Sequence, residues 1–228
     1  SNQQLLADIA DTRSWLASAV VSQGDIHTAI TLHQQLQQEL LSQSDKLDAY
    51  GLDRLFSSYQ NHTDLLIFQG RRPQAFELAL LSFEAVNTAL QQDPQNQQWQ
   101  VDRYYTMFKL LELSSAENQQ LLSFDTDTLT ETLSADNQIQ QSTKHNLVWA
   151  NYYLATAKHF YHGQQFDQSQ QLAQQAISLL SDMSAKQPDN VSYIAMLSSS
   201  QMVHYAAAKA LNAAHSDTTV CQQTKTRL

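Results

Sequence analysis

Three stretches of this chain repeat one punctuation: "VVSQGDIHTAI" at 20–30, "IFQGRRPQAF" at 67–76 and "FYHGQQFDQS" at 160–169. Each sets a glycine after one amphipathic segment and just before another. The chain has only four glycines and three prolines, so spending three glycines in one setting restricts the fold sharply. Gly24 and Gly70 stand 46 residues apart, and Gly70 and Gly163 stand 93 apart, close to twice that spacing. A missing member falls near 116–117, where "LELSSAENQQLL" (111–122) offers a polar turn without the glycine. A fixed period of this length is the signature of stacked supersecondary units. In a helix–turn–helix unit the glycine closes the first helix, because positive φ costs little only without a Cβ.

Breaks between the units form a second series: "SQSD" at 42–45, "QQDPQN" at 91–96, "SADNQ" at 134–138 and "KQPDN" at 186–190. Pro94 and Pro188 cannot continue a helix, and the neighbouring Asp and Asn can cap the next one. Trp99 and Tyr193 each stand five residues beyond the proline, a mark of internal duplication. Little Gly and Pro, with abundant Gln, Leu and Ala, leaves helix as the one regular structure. Phe166, Ala173, Ile177 and Leu180 fall on one helical face, as do Leu5, Ile9 and Leu16. The pattern predicts helices at about 3–22, 25–41, 46–69, 73–92, 97–113, 116–134 (broken near 124–127), 138–162, 166–186 and 190–213. The expected fold is an all-α solenoid of about four helix–turn–helix repeats plus a closing helix. It forms one domain over 3–213, with a flexible tail at 214–228.

Charge narrows the function. Thirteen basic against 22 acidic residues give a net charge of −9, which argues against nucleic acid and against docking on anionic lipid. No run approaches the roughly 18 apolar residues of a membrane span. The lone Cys221 permits no disulfide framework and no thiolate metal site. His159 with His162, and His27 with His33, supply at most half of a metal site, and the segment "DTDTLTETLSAD" (125–136) lacks the glycine a calcium loop needs. No nucleophile elbow or phosphate loop is present. The expectation is no metal, no cofactor and no enzyme. Cytoplasm and periplasm both stay open. The start at Ser1-Asn2 suggests a fragment of a longer protein, one reading being a membrane-anchored one.

"WLASAVVSQGDIHTAITLHQQL" (15–36) resembles a tetratricopeptide repeat, with Leu16-Ala17, Gly24 and Ala29 at that family's key positions. Gly70 with Ala75, and Gly163 with Phe166, Ala173 and Ala176, repeat the pattern. The period of about 46 exceeds that family's 34 and implies longer helices. Helix pairs of this kind occur beside bacterial signalling domains. The resemblance therefore implies a protein–protein interaction module of a larger bacterial regulatory or envelope protein, binding a peptide or partner domain on a concave face. First helices of successive repeats line that face, placing Arg54, Asn61, Arg103, Tyr104, Lys109, Asn151, Tyr152 and Lys158 there as partner-binding residues. The alternatives are a homodimerisation domain joined through helix 190–213 (Tyr193, Ile194, Met202, Val203, Tyr205), and a small-ligand sensor with its ligand near Tyr152 and Tyr104.

Overall fold

The computed structural model describes residues 2–43, 47–115, 117–142 and 144–225, with side chains from 8 to 213. Ala116, the end of the "SQSD" break, and the side chains of Leu5 and Cys221 lie outside the described residues. Among the described residues there are ten α-helices, one 3-10 turn and no strand, and the helices pack against neighbours in sequence. They are α1 (Asn2–Ser22), α2 (Ile26–Leu41), α3 (Ala49–Phe68), α4 (Arg72–Gln92), α5 (Gln97–Leu113), α6 (Thr126–Ala135), α7 (Asn137–Gln141), α8 (His145–His162), α9 (Phe166–Lys186) and α10 (Val191–Lys225). None of the described helices is long and apolar enough to cross a membrane. Two units divide the chain: one holds α1 to α5, the other α6 to α10.

Polar residues at the breaks start the helices. Asp25 accepts from the Thr28 amide, Asp48 from Gly51, Asp125 from Thr128, and Asp136 from Gln138 and Ile139. Each satisfies an amide that the helix itself leaves unpaired. The three glycine turns share one hydrogen-bond pattern. Gly24 N–H donates to Val21 O and Asp25 N–H to Val20 O; Gly70 and Arg71 repeat this on Ile67 and Leu66. Gly24 and Gly70 have φ of +85° and +74°.

At the third turn the expected role of Gly163 fails by one residue. Gly163 has an ordinary φ of −78°, and Gln164 takes the left-handed position at +60°. Gln164 N–H donates to Tyr161 O and Gln165 N–H to Phe160 O, so Gln164 is the counterpart of Gly70. The extra residue after the glycine moved it out of register with the turn. Four residues past each cap stand Ala29, Ala75 and Ser169, all 0% exposed, where a small side chain lets the hairpin's helices close. Ser169 also donates its hydroxyl to Ala157 O at 2.8 Å.

The counterparts Gly70 and Gln164 reveal a duplication with an offset of 94 residues. Adding 94 carries the end of α3 to the end of α8, both ends of α4 to those of α9, and the start of α5 to that of α10. The α4–α5 corner recurs in detail. Asp93 (φ −137°, ψ 86°) corresponds to Gln187 (φ −137°, ψ 73°). Asn96 caps through the Trp99 amide as Asn190 does through that of Tyr193. The buried Ala79, Ser82 and Val86 of α4 map onto the buried Ala173, Ala176 and Leu180 of α9.

Between the two copies the expected regularity stops. The predicted helix over 116–134 is helical only over the ten residues of α6, preceded by a loop with the 3-10 turn Gln119–Leu121. Ser115 N–H donates to Asn118 Oδ1 at 2.6 Å, and Asn118 N–H returns to Ser115 O. Such local bonds compete with helix. The predicted helix over 138–162 is likewise split into α7 and α8. At the end of the chain α10 continues to Lys225, through most of the segment expected as a tail.

Candidate recognition site

The residues expected on a shared concave face are placed variously within the two units. In the first unit Arg54 is fully engaged. Its guanidinium meets Asp11 at 2.6 Å and Asp53 at 3.2 Å, and lies 4.2 Å from the Tyr50 ring centre. Asp53 also accepts from the Trp99 indole at 2.9 Å. Lys109 pairs with Asp64 at 2.7 Å. Asn61 is exposed, and Arg103 is half-buried beside the Tyr104 ring. Tyr104 is 0% exposed and belongs to the core, which corrects its placement on a binding face. In the second unit Tyr152 is corrected for the same reason: it is buried, and its hydroxyl meets Thr130 and the Thr126 carbonyl. Asn151 bonds back to Leu147 O, and Lys158 is half-buried. With Tyr104 and Tyr152 both in the core, neither is open to the ligand of the sensor alternative.

The second unit instead opens a trough of about 410 Å³ between α8 and α9. His145, Trp149 and Tyr153, spaced by one helical turn, form its α8 wall together with Asn146, while Gln175, Ser178 and Leu179 face them from α9. Trp149 is wedged among aromatics. Its ring lies 5.4 Å from Tyr153, 5.6 Å and nearly perpendicular to Tyr152, and 6.4 Å from His145. Such packing fixes the indole before any partner arrives. Burial, then Tyr152, pushes the Tyr153 phenol above its ordinary range, so it carries its proton at neutral pH.

Among the described residues no Asp, Glu, Lys or Arg lines this trough. Its polar groups are unspent: His145 Nδ1 is buried with no hydrogen-bond partner, and no hydrogen bond joins the side chain of Asn146, Gln175 or Ser178 to another described residue. The duplicate positions in the first unit read quite differently. Leu52, Leu55, Tyr59 and Ala85 stand where Asn146, Trp149, Tyr153 and Leu179 stand, and all four are buried with Ala10 of α1 and Leu36 and Leu40 of α2. The "HNLVWANYY" run carried a signal for the trough, since His145, Trp149 and Tyr153 recur every four residues. The α9 side had none.

A second polar cluster lies sealed between α2 and α3. His33 Nδ1 is 3.1 Å from Ser58 Oγ, and Gln37 reaches Ser58 at 3.3 Å and His62 Nδ1 at 3.4 Å. The two imidazoles stack, with centres 6.4 Å apart. Burial first, then the charge of His33 and Arg71, holds His62 down to about 4, and burial lowers His33 as well. All four side chains are nearly inaccessible, and neutral histidines satisfy the layer's hydrogen bonds. Comparison with family models, with curated proteins and with solved structures finds no match for this chain.

Proposed function

We propose that this chain is a protein-recognition module, built as a tetratricopeptide-like α-solenoid, which binds without chemistry. Recurrent hairpins with small residues at the helix contact support the architecture. The observation that carries the function is the α8–α9 trough, where a fixed aromatic wall meets polar side chains with no internal partner. Binding surfaces characteristically combine such anchors with hydrogen-bonding groups at their rim. Cations of the first unit, Arg54 and Lys109, are spent on internal carboxylates and make weaker candidates. The test compares wild-type bait with a Trp149→Ala/Tyr153→Ala bait matched for helicity. A specific partner is lost with the altered bait; a partner set unchanged by it contradicts the reading.

Self-association through α10 is the second reading, favoured by one observation. Met202 and Tyr205 are 66% and 70% exposed, whereas their duplicates Phe108 and Leu111 in α5 are buried. Val191 and Ile194 extend that exposed apolar stripe along the same helix. Light scattering on wild type and a Met202→Glu/Tyr205→Glu variant tests it: a dimer mass that the variant loses supports this reading, and a monomer at all concentrations removes it.

A further inference from the structure

Resting on the recognition reading, we propose that the α8–α9 trough binds a proline-rich segment in the polyproline II conformation. Charge is the first constraint. In a chain of net charge −9, no Asp, Glu, Lys or Arg among the described residues lines the trough, whose one basic group is His145, so it offers a cationic ligand no carboxylate and an anionic one no Lys or Arg to offset desolvation. The occupant is neutral where it touches.

Hydrogen bonding is the second constraint. The Trp149 indole is a donor only, and the Asn146 and Gln175 amides and the Ser178 and Tyr153 hydroxyls can all donate. Each of these groups can serve an acceptor-rich ligand, although the amides and hydroxyls can also accept. A polyproline segment is such a ligand, because proline has no N–H and the extended helix leaves its carbonyls unpaired. An amphipathic helix would leave the trough's polar groups buried and unpaired. The duplicate face of the first unit shows what packed helices require at these positions, namely Leu52, Leu55 and Ala85.

Shape is the third. From His145 to Tyr153 the wall runs about 12 Å at the helical rise. That length takes about four residues at the polyproline rise of 3.1 Å. An open trough suffices for a ligand that is already extended, since little ordering entropy remains to be lost. Proline rings would pack on the tilted Trp149 and Tyr153 faces while the amides and hydroxyls reach the carbonyls.

The three tryptophans provide the readout. Indole N–H signals in a proton–nitrogen correlation spectrum are assigned by single Trp→Phe variants, and the protein is titrated with a blocked oligoproline, an equally long Gly–Ser peptide and a linear maltooligosaccharide. The oligoproline shifts the Trp149 signal saturably, leaves those of Trp15 and Trp99 in place, and outcompetes the Gly–Ser peptide. Gln175→Ala/Ser178→Ala, both on exposed positions of α9, weakens binding about tenfold at unchanged Tm. No saturable shift, an equal response to Gly–Ser, a response to the saccharide alone, or an unaffected double variant each overturns the proposal. If oligoproline fails while partner capture still depends on Trp149 and Tyr153, the polyproline inference falls and the recognition reading stands. If both fail, both fall.

Discussion

The α3–α4–α5 and α8–α9–α10 segments share their boundaries from the end of the first helix to the start of the third, and their corner geometry, yet they present different faces. In the first, α1 and α2 lie on α3, and the face that meets them is Leu52, Leu55 and Tyr59. In the second, the same positions are Asn146, Trp149 and Tyr153, and they border an open trough. A duplicated backbone therefore carries two solutions to one problem. Packed under α1 and α2 the face is apolar and structural; bordering the trough it is aromatic and hydrogen-bonding. The contrast makes the trough informative, because its residues are measured against a copy that kept a purely packing role.

Equivalent substitutions test this contrast. Leu55→Ala creates a cavity in a closed core and is expected to cost about 3 kcal/mol in denaturant unfolding. Trp149→Ala, at the duplicate position, removes a larger but only partly buried side chain and is expected to cost less than Leu55→Ala. Equal losses would mean that the two faces are equally buried.

Acidification separates the units next. His62 of α3 has its duplicate in Thr156 of α8. With His62 held down to about 4 against an ordinary 6.5, the unfolded chain takes up the proton first as pH falls. The stability contributed by neutral His62 is complete above pH 6.5 and drains away between 6.5 and about 4. The loss reaches about 3 kcal/mol. Hydrogen exchange over this range is expected to show α2 and α3 losing protection before α8 and α9. His62→Thr flattens that dependence.

The smallest effects sit at the turns. Gly70→Ala forces a Cβ into the left-handed region and costs about 1 kcal/mol or more. Gly163→Ala is nearly neutral, since its φ is ordinary and the nearest atoms to a new Cβ are 3.6 Å away. Gln164→Gly relieves the strain at +60° and stabilises by up to about 1 kcal/mol. Thermal unfolding of the three variants ranks them in that order, and a destabilised Gln164→Gly would mean that the turn registers are misaligned.

Much of the fold was legible because its punctuation rests on residues with few alternative uses. Gly24 and Gly70 marked left-handed turns, and Pro94 and Pro188, with Asn96 and Asn190 beside them, marked a repeated corner. The region 114–141 was harder to read, since Ser115, Asn118 and Asp136 bond locally and break a pattern whose apolar spacing still suggests long helices. Gly163 misled for a related reason: one inserted residue hands its role to Gln164. Site residues were less legible than helices. Tyr104 and Tyr152 lie on helices taken to line a groove, but only packing reveals which face turns inward. Arg54 and Lys109 read as available cations until Asp11 and Asp64, distant in sequence, are brought against them. The trough needs α8 and α9 together, and no local pattern in α9 distinguishes Gln175 and Ser178 from the many other polar residues around them.

The most direct test of the account is photo-cross-linking from duplicate positions. A photoreactive residue replaces Gln175 beside the trough in one protein, and its duplicate, the exposed Leu81 of α4, in another. The account predicts a discrete partner adduct from position 175 that Trp149→Ala abolishes, and no such adduct from position 81. The same adduct from both positions, or one at 175 indifferent to Trp149, would contradict it.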